Sequence, residues 1–363
     1  MLGNNSVSVS GWRYGGQPAP LQTGNGSVVA TGLLTGYGQL VRELQGDPNS
    51  LLREEGIDPA ALDRIDEKVP LRAVANLLEN SARVLECPDF GLRLAERQDG
   101  PAIMRPIDRL LFNAPTLRDV AHYVSWHMEP YSSGIRMTLE PDAEHDLEFF
   151  GIDLLLDESV GCPQLVEQIA LLTCCAAISL TGGAARVRQV WFSHPRVGRL
   201  SAYAKRFPGT RVKFGQPLDG LLYGKADLAC RVVHRDPTVF DYELQLVASR
   251  YPAHMPDIGV RVRQAILRAL AEECCTREHV AALLGIHSRK LQRSLGTIGM
   301  SFEAVRDEVR RDLAARYLAR RDLRLAEIVG RLGYSEPAVL TRSCRRWFSA
   351  TPSQLRRNLT RRQ

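Results

Sequence analysis

The stretch Ile328-Val329-Gly330-Arg331-Leu332-Gly333-Tyr334-Ser335, with Leu340-Thr341-Arg342 just beyond it, decides the fold of the last third of the chain. It has a counterpart upstream in Val280-Ala281-Ala282-Leu283-Leu284-Gly285-Ile286-His287, followed by Leu291-Gln292-Arg293. Each copy reads as a short apolar helix, a glycine turn and a second helix bearing arginine. That is the helix-turn-helix layout, whose second helix enters a DNA major groove.

In the first copy Thr276 is placed to cap a helix from Arg277 to Leu284, because its hydroxyl accepts from a free N–H of the first turn. Ala281 is small where two helices must approach, Gly285 frees the backbone for the turn, and Ile286 points back to the core. The second helix is expected from Ser288 to Leu295. Leu291 and Leu295 are four apart and face inward, which turns Arg289, Gln292 and Arg293 outward, with Lys290 beside them. Arginine and glutamine match the edges of guanine and adenine.

A helix from Phe302 to about Arg320 follows. Val305, Val309, Leu313, Ala314, Tyr317 and Leu318 form a stripe on it that can contact both copies. At about 1.5 Å per residue it is a rod of roughly 28 Å, near the ~34 Å turn of DNA, so two heads on it could enter successive major grooves. In the second copy the first helix is expected from Leu325 to Leu332. Ser335 is expected as the N-cap of the next helix, with Pro337 in its first turn, where the missing N–H costs nothing. Thr341, Arg342, Arg345 and Arg346 carry the polar contacts, and Thr351-Pro352-Ser353 caps a last short helix.

Charge separates this region from the rest. Residues 257–363 hold 22 Lys or Arg against 11 Asp or Glu, a net of +11, which leaves 25 against 30, a net of −5, for residues 1–256. A basic segment on an acidic body is the electrostatic footprint of a nucleic-acid module attached to something else. The hydrophobic fraction of 44% and charged fraction of 24% are those of an ordinary globular chain, which excludes fibrous and disordered classes.

The body is expected to be α+β, helices first and a small sheet after. Residues 1 to about 30 are rich in Gly, Ser, Asn and Gln and read as a flexible tail. Helices are expected from Thr35 to Arg53, from Pro70 onward with Leu71, Val74, Leu77, Leu78, Ala82 and Leu85 on one face, and from Thr116 to Trp126. Tyr131 to Leu139 and Asp146 to Leu154 read as a hairpin around Glu140-Pro141-Asp142. The longest apolar stretch, within a helix from Pro163 to Thr181, is too short to span a bilayer and reads as a buried core helix. Strands are expected at Val187–Ser193, Arg211–Phe214 and Gly220–Tyr223, with a short helix from Arg199 to Phe207. The domain reading is a tail over 1–30, a sensing and dimerisation domain over 31–240, a linker over 241–257 and an all-α domain over 258–363.

Residues 257–357 resemble the DNA-binding domain of the AraC/XylS family of bacterial transcription regulators. The residues that carry the likeness are Leu291-Gln292-Arg293, Ile328-Val329, Gly333-Tyr334-Ser335, Leu340-Thr341-Arg342, Arg346-Trp347-Phe348 and Thr351-Pro352. The resemblance implies base-reading positions at Arg289, Gln292 and Arg293 in the first head, and at Pro337, Ala338, Thr341 and Arg342 in the second. The chain departs from the pattern at Pro337 and Ala338, which are often polar, at Cys344, usually aromatic, and at Ser349, usually glycine. The second head is therefore expected to lean on phosphate contacts, which position without specifying.

The body, from Tyr37 to about Val239, is similar to the arabinose-binding-type N-terminal domain of one AraC subgroup. The carrying pieces are Val69-Pro70-Leu71, Phe90-Gly91-Leu92-Arg93-Leu94-Ala95-Glu96, Pro115-Thr116-Leu117, Phe192-Ser193-His194-Pro195 and Val212-Lys213-Phe214-Gly215-Gln216-Pro217. The resemblance implies effector sensing and homodimerisation. It does not assign arabinose as the ligand, because sites within one fold diverge freely.

Other constellations carry less. His122 and His127 are five apart, whereas helical metal ligands stand three or four apart, so core or interface histidines are expected and no metal. Cys174-Cys175 sits in an apolar helix, where thiolate formation is disfavoured. The eight scattered cysteines without a CxxC spacing, and the absence of a basic, apolar, small-residue leader, point to a reduced cytoplasmic protein. No phosphate loop, GxSxG or GxGxxG is present, so no enzyme and no cofactor is expected. The expected partners are promoter DNA, a second copy of the chain, a small-molecule effector and RNA polymerase, with no membrane. The alternative is a ligand-independent DNA binder whose body serves dimerisation or protein contacts.

Overall fold

The computed structural model describes residues 26–105, 107–141, 146–156, 161–250, 258–271, 274–319 and 323–360. The body begins with strand β1 (Val28–Ala30), then α1 (Tyr37–Glu43), α2 (Pro48–Glu54), β2 (Lys68–Pro70), α3 (Leu71–Val84), α4 (Phe90–Ala95), α5 (Asp108–Asn113) and α6 (Leu117–Trp126). It continues with β3 (Ile135–Pro141), β4 (Leu147–Leu154), α7 (Pro163–Leu180), β5 (Val187–Trp191), α8 (Leu200–Arg206), β6 (Arg211–Lys213), β7 (Asp219–Gly224), α9 (Lys225–Leu228) and α10 (Pro237–Arg250). β1 and β2 form an antiparallel pair, and the main sheet has the order β3-β4-β7-β5-β6, antiparallel except for the parallel β5–β6 pair. Helices before a small sheet, followed by an all-helical C-terminal region, is the architecture the residue pattern implies.

Local chemistry explains several boundaries. Thr116 and Asp119 form a reciprocal cap that starts α6: Asp119 Oδ2 accepts from the Thr116 amide at 3.0 Å, and Thr116 Oγ1 from the Asp119 amide at 3.3 Å. The helix expected from Thr35 to Arg53 is instead two. Gln45 takes a left-handed φ of 63°, and Asp47 caps a new helix with Pro48 at its first position. The expected tail of residues 1–30 also ends too late. Val28–Ala30 pairs with β2, and Ser27, Val29 and Ala30 are buried; residues 1–25 lie outside the described residues, as does the turn residue Asp142.

The expected linker, 241–257, needs a correction of the same kind. Through residue 250 it is the helix α10, whose Phe240 and Val247 are buried in the body core. Asp236 Oδ1 caps its start by accepting from the Thr238 amide at 2.8 Å, Phe240 meets the Tyr123 ring at 5.7 Å, and Glu243 pairs with Arg109 at 3.3 Å. Residues 251–257 lie outside the described residues.

Helix α7 organises the body. By length and composition it could cross a bilayer, but 67% of it is buried inside the body. Its apolar length faces α3, α4 and the sheet, while its first turns carry buried polar groups, each with a specific partner. Gln164 accepts from the Gly91 amide at 2.8 Å and donates to Pro88 O at 3.0 Å. Gln168 donates to Leu33 O at 2.7 Å and to Gln98 Oε1 at 2.9 Å. Tyr203 donates to Glu167 at 2.5 Å, with His194 Nε2 3.7 Å from the same oxygen. Burial pushes the Glu167 carboxyl up to about 8 and the His194 imidazole down, so the two meet as neutral groups near neutrality. In the same helix burial pushes the Cys174 thiol up to about 12, which removes the vicinal pair from thiolate chemistry. His122 stacks on Trp126 at 5.3 Å, and among the described residues no cluster of metal-ligating side chains forms.

Two predictions follow from the seating of α7. A Cβ on Gly91 would lie 2.0 Å from the backbone oxygen of Gln164, so Gly91→Ala must push α4 off α7. We expect a loss of about 1–3 kcal/mol, read by chemical denaturation. Glu167 holds its proton more tightly when folded, so the stability it confers is complete below its ordinary value of 4.5 and is lost as the pH rises through about 8. The midpoint of thermal unfolding should fall from pH 5 to pH 8, and Glu167→Gln should flatten that fall; an unchanged slope in the variant places the pH dependence elsewhere.

Candidate nucleic-acid interface

The C-terminal region has its own hydrophobic core, from Val262 to Cys344. It comprises α11 (Ile258–Ala271), α12 (Arg277–Leu283), α13 (Ser288–Gly296), α14 (Phe302–Ala319), α15 (Leu325–Arg331), α16 (Pro337–Phe348) and α17 (Pro352–Thr360). The pairs α12–α13 and α15–α16 are the two helix-turn-helix units. α14 lies between them in sequence and packs against α11, α15, α16 and α17. Its Val305, Val309, Leu313, Ala314, Tyr317 and Leu318 are all buried.

In the first head the Thr276 hydroxyl caps α12 at 3.1 Å from the His279 amide, and Gly285 adopts a φ of 63° in the turn. Leu291 and Leu295 of α13 are buried, while Arg289, Lys290, Gln292 and Arg293 are exposed. None of these four is held in an ion pair among the described residues. Arg289 and Arg293 stand on the face opposite the two leucines, with Lys290 and Gln292 on its flanks, as the 3.6-residue period requires.

The second head differs in one backbone detail. Its turn glycine, Gly333, has the same φ of 63°, but α16 begins one residue later relative to it than α13 does relative to Gly285. The expected cap at Ser335 is therefore displaced: Glu336 occupies the N-cap without a side-chain bond, and Pro337 holds the first helical position. Aligned on the buried pairs Leu291/Leu295 and Leu340/Cys344, Arg293 corresponds to Arg342, Gln292 to Thr341 and Arg289 to Ala338.

The polar side chains of α16 are not equally available. Arg342 and Arg345 are exposed and without an ion pair among the described residues. Thr341 donates its hydroxyl back to Pro337 O at 3.1 Å, leaving its lone pairs and methyl group to face outward. Arg346 is ion-paired to Asp307 of α14, which also accepts from Trp347 Nε1 at 2.8 Å. The sequence alone grouped Arg346 with the other polar contacts, because its partner lies on a helix far upstream.

Arg310 is a positioning residue that the sequence did not single out. It donates to Gly333 O at 3.1 Å and its guanidinium stands 4.6 Å from the Tyr334 ring centre, while Tyr334 OH donates to Ser343 at 3.1 Å. One cation thus clamps the turn of the second head onto α14. Arg331 of α15 donates to Gly215 O, in the loop between β6 and β7, so this head also touches the body of the chain.

Two recognition helices with exposed cations, mounted on one shared helix, define a double helix-turn-helix DNA-binding protein. The comparisons with known proteins agree. The chain matches the family model described as the arabinose-binding domain of AraC transcription regulator, N-terminal, over residues 46–232, and the helix-turn-helix domain model over residues 280–358. It is 33% identical over 332 residues to the HTH-type transcriptional regulator VirS of Mycobacterium tuberculosis, spanning 91% of this chain and 97% of that protein. It is 28% identical over 174 residues to the ornithine utilization regulator of Pseudomonas aeruginosa, spanning 46% of this chain and 50% of that one. Transcriptional regulator CdpR of Pseudomonas aeruginosa, a solved structure, aligns at 22% identity with a TM-score of 0.41 over 87% of this chain and 97% of that one. The chain belongs to the AraC family of DNA-binding transcription regulators.

Ser349, one of the departures from the family pattern, closes α16 with a φ of 53° and ψ of 25°. A side chain in this left-handed conformation crowds its own backbone, at a cost of about 1–2 kcal/mol that glycine escapes. Ser349→Gly should raise stability by about 1 kcal/mol in thermal denaturation; no gain would mean that the surroundings already relieve the strain.

Proposed function

We propose that the chain is an effector-controlled promoter-binding regulator in which the two heads divide the work. The first head reads sequence through Arg289, Gln292 and Arg293, with Lys290 on a phosphate. The second head holds the duplex through Arg342 and Arg345, with Thr341 adding an apolar or acceptor contact. Ala338 offers no group to a base where the first head has Arg289, and Arg346 reaches DNA only by leaving Asp307. The observation that supports this division is the set of unpaired, outward-facing cations on α13 set against the partly engaged face of α16. Bidentate arginine at a base edge specifies, whereas cations on phosphate position.

The remaining reading is consistent with this assignment. Residues 26–250 form the sensing and dimerisation half, and 258–363 the DNA-binding half; a homodimer then presents four recognition helices to two half-sites. Effector binding shifts the population between arrangements in which the heads are and are not presented together. Promoter DNA, RNA polymerase and the cytoplasm are the partners and place of action, and the chain carries no catalytic activity.

Protection of promoter DNA from nuclease by the full-length protein tests the reading, and no protected sequence with or without cell extract overturns it. Arg293→Ala should cost about 1–3 kcal/mol at the bound site and relax preference at one base. Arg345→Ala should weaken all sequences alike and lower the salt slope by about one. The opposite pattern for the two variants would reverse the roles of the heads.

A further inference from the structure

The body holds a cavity of about 90 Å³ at the seam between helices and sheet. α6 lines it through Val120 and Ala121, α7 through Leu172 and Ala177, and the sheet through Met137 and Phe150. No charged side chain takes part in the lining. Three of the six methionines of the chain, Met104, Met128 and Met137, converge on it. Thioether side chains are unbranched and adapt their shape, so a lining rich in them fits occupants of several outlines.

Three hydroxyl-bearing side chains interrupt the apolar lining, Tyr131, Thr173 and Tyr223, and of these Thr173 already donates to Ile169 O at 2.8 Å. Tyr131 lines the cavity, is 3% exposed, and its hydroxyl has no hydrogen-bond partner among the described residues. A buried hydroxyl without a partner is costly, and a donor or acceptor on a bound molecule would satisfy it. Met104, Thr173 and Ala176 are only half-buried, which marks the side of the cavity nearest solvent.

From these features we infer that the cavity is a binding site for a small, uncharged, largely apolar molecule carrying a single hydrogen-bonding group that meets Tyr131. A pentose does not fit this chemistry. Its several hydroxyls would enter a wall with almost no partners for them, each unpaired group being costly. A carboxylate or ammonium group would lie without a counter-charge. At about 90 Å³ the space is smaller than the ~150 Å³ apolar cavity that holds a benzene ring, so it suits a slender alkyl chain that can extend toward the half-buried Met104, Thr173 and Ala176 rather than a ring. That such a molecule is also the effector rests on the control proposed above; that it binds does not.

Calorimetric titration of the full-length protein with n-hexanol, hexanoate and L-arabinose tests the site. n-Hexanol should bind saturably, and hexanoate and L-arabinose should not. Ala121→Leu, which fills the cavity, should weaken n-hexanol at least about 10-fold, and Tyr131→Phe, which removes only the hydroxyl, about 3- to 10-fold. If Ala121→Leu loses its circular-dichroism signal, Tyr131→Phe decides. Saturable L-arabinose binding without n-hexanol binding, or n-hexanol binding that neither folded variant disturbs, overturns the proposal. Footprinting with n-hexanol separates the two readings. Variant-sensitive binding that leaves DNA affinity unchanged keeps the site and removes effector control. DNA affinity that responds to L-arabinose, and is indifferent to both variants, keeps effector control and removes the site.

Discussion

Burial of one stripe on α14 conditions the whole DNA-binding half. Val305, Val309, Leu313, Ala314, Tyr317 and Leu318 are removed from water by packing against helices on either side. Because both heads share that core, neither is an independent module: α11 packs on α12 and α13 of the first head, and α14 packs on α11 and directly on α15 and α16 of the second. Polar groups on α14 refine the placement. Arg310 holds the Gly333–Tyr334 turn, and Asp307 receives both Arg346 and Trp347. The helix is thus a scaffold on its apolar face and a clamp at its edges.

In the body α7 plays the corresponding part. Its first turns are fastened by glutamine side chains to backbone groups of distant segments and by Glu167 to the Tyr203 hydroxyl, which fixes its register against α4. Its middle and last turns face an incompletely filled space. A helix rigidly seated at one end and loosely supported at the other is a natural place for a bound molecule to bias a structure, since packed interfaces tend to have discrete arrangements.

Periodic features of the fold were legible in the residues. Leu291 and Leu295, the α14 stripe, and the run of α7 all appear as apolar spacing before any coordinate is known. What escaped depends on single residues or on distance in sequence. Gln45 has an ordinary side chain, and nothing local announces its left-handed turn between α1 and α2. The expected linker is largely α10, whose start at Pro237 is hard to read because proline suits a first helical turn as well as a loop. The displaced cap at Glu336 follows from one extra residue in a turn. The Asp307–Arg346 pair joins positions on two helices, and the cavity is an absence of atoms that no local pattern encodes.

The length of α14 places a mechanical condition on the duplex. Its 18 residues make a rod of about 27 Å, shorter than the ~34 Å between successive major grooves on one face of straight DNA. If the two heads stand about one length of α14 apart when both are seated, the difference is absorbed by curvature or twist in the DNA, whose elastic cost varies with the base steps being deformed. Bases that no side chain touches then weigh in the choice of site through their stiffness. A second head whose cations met only phosphate would still sharpen selectivity in this way, by requiring a duplex that yields.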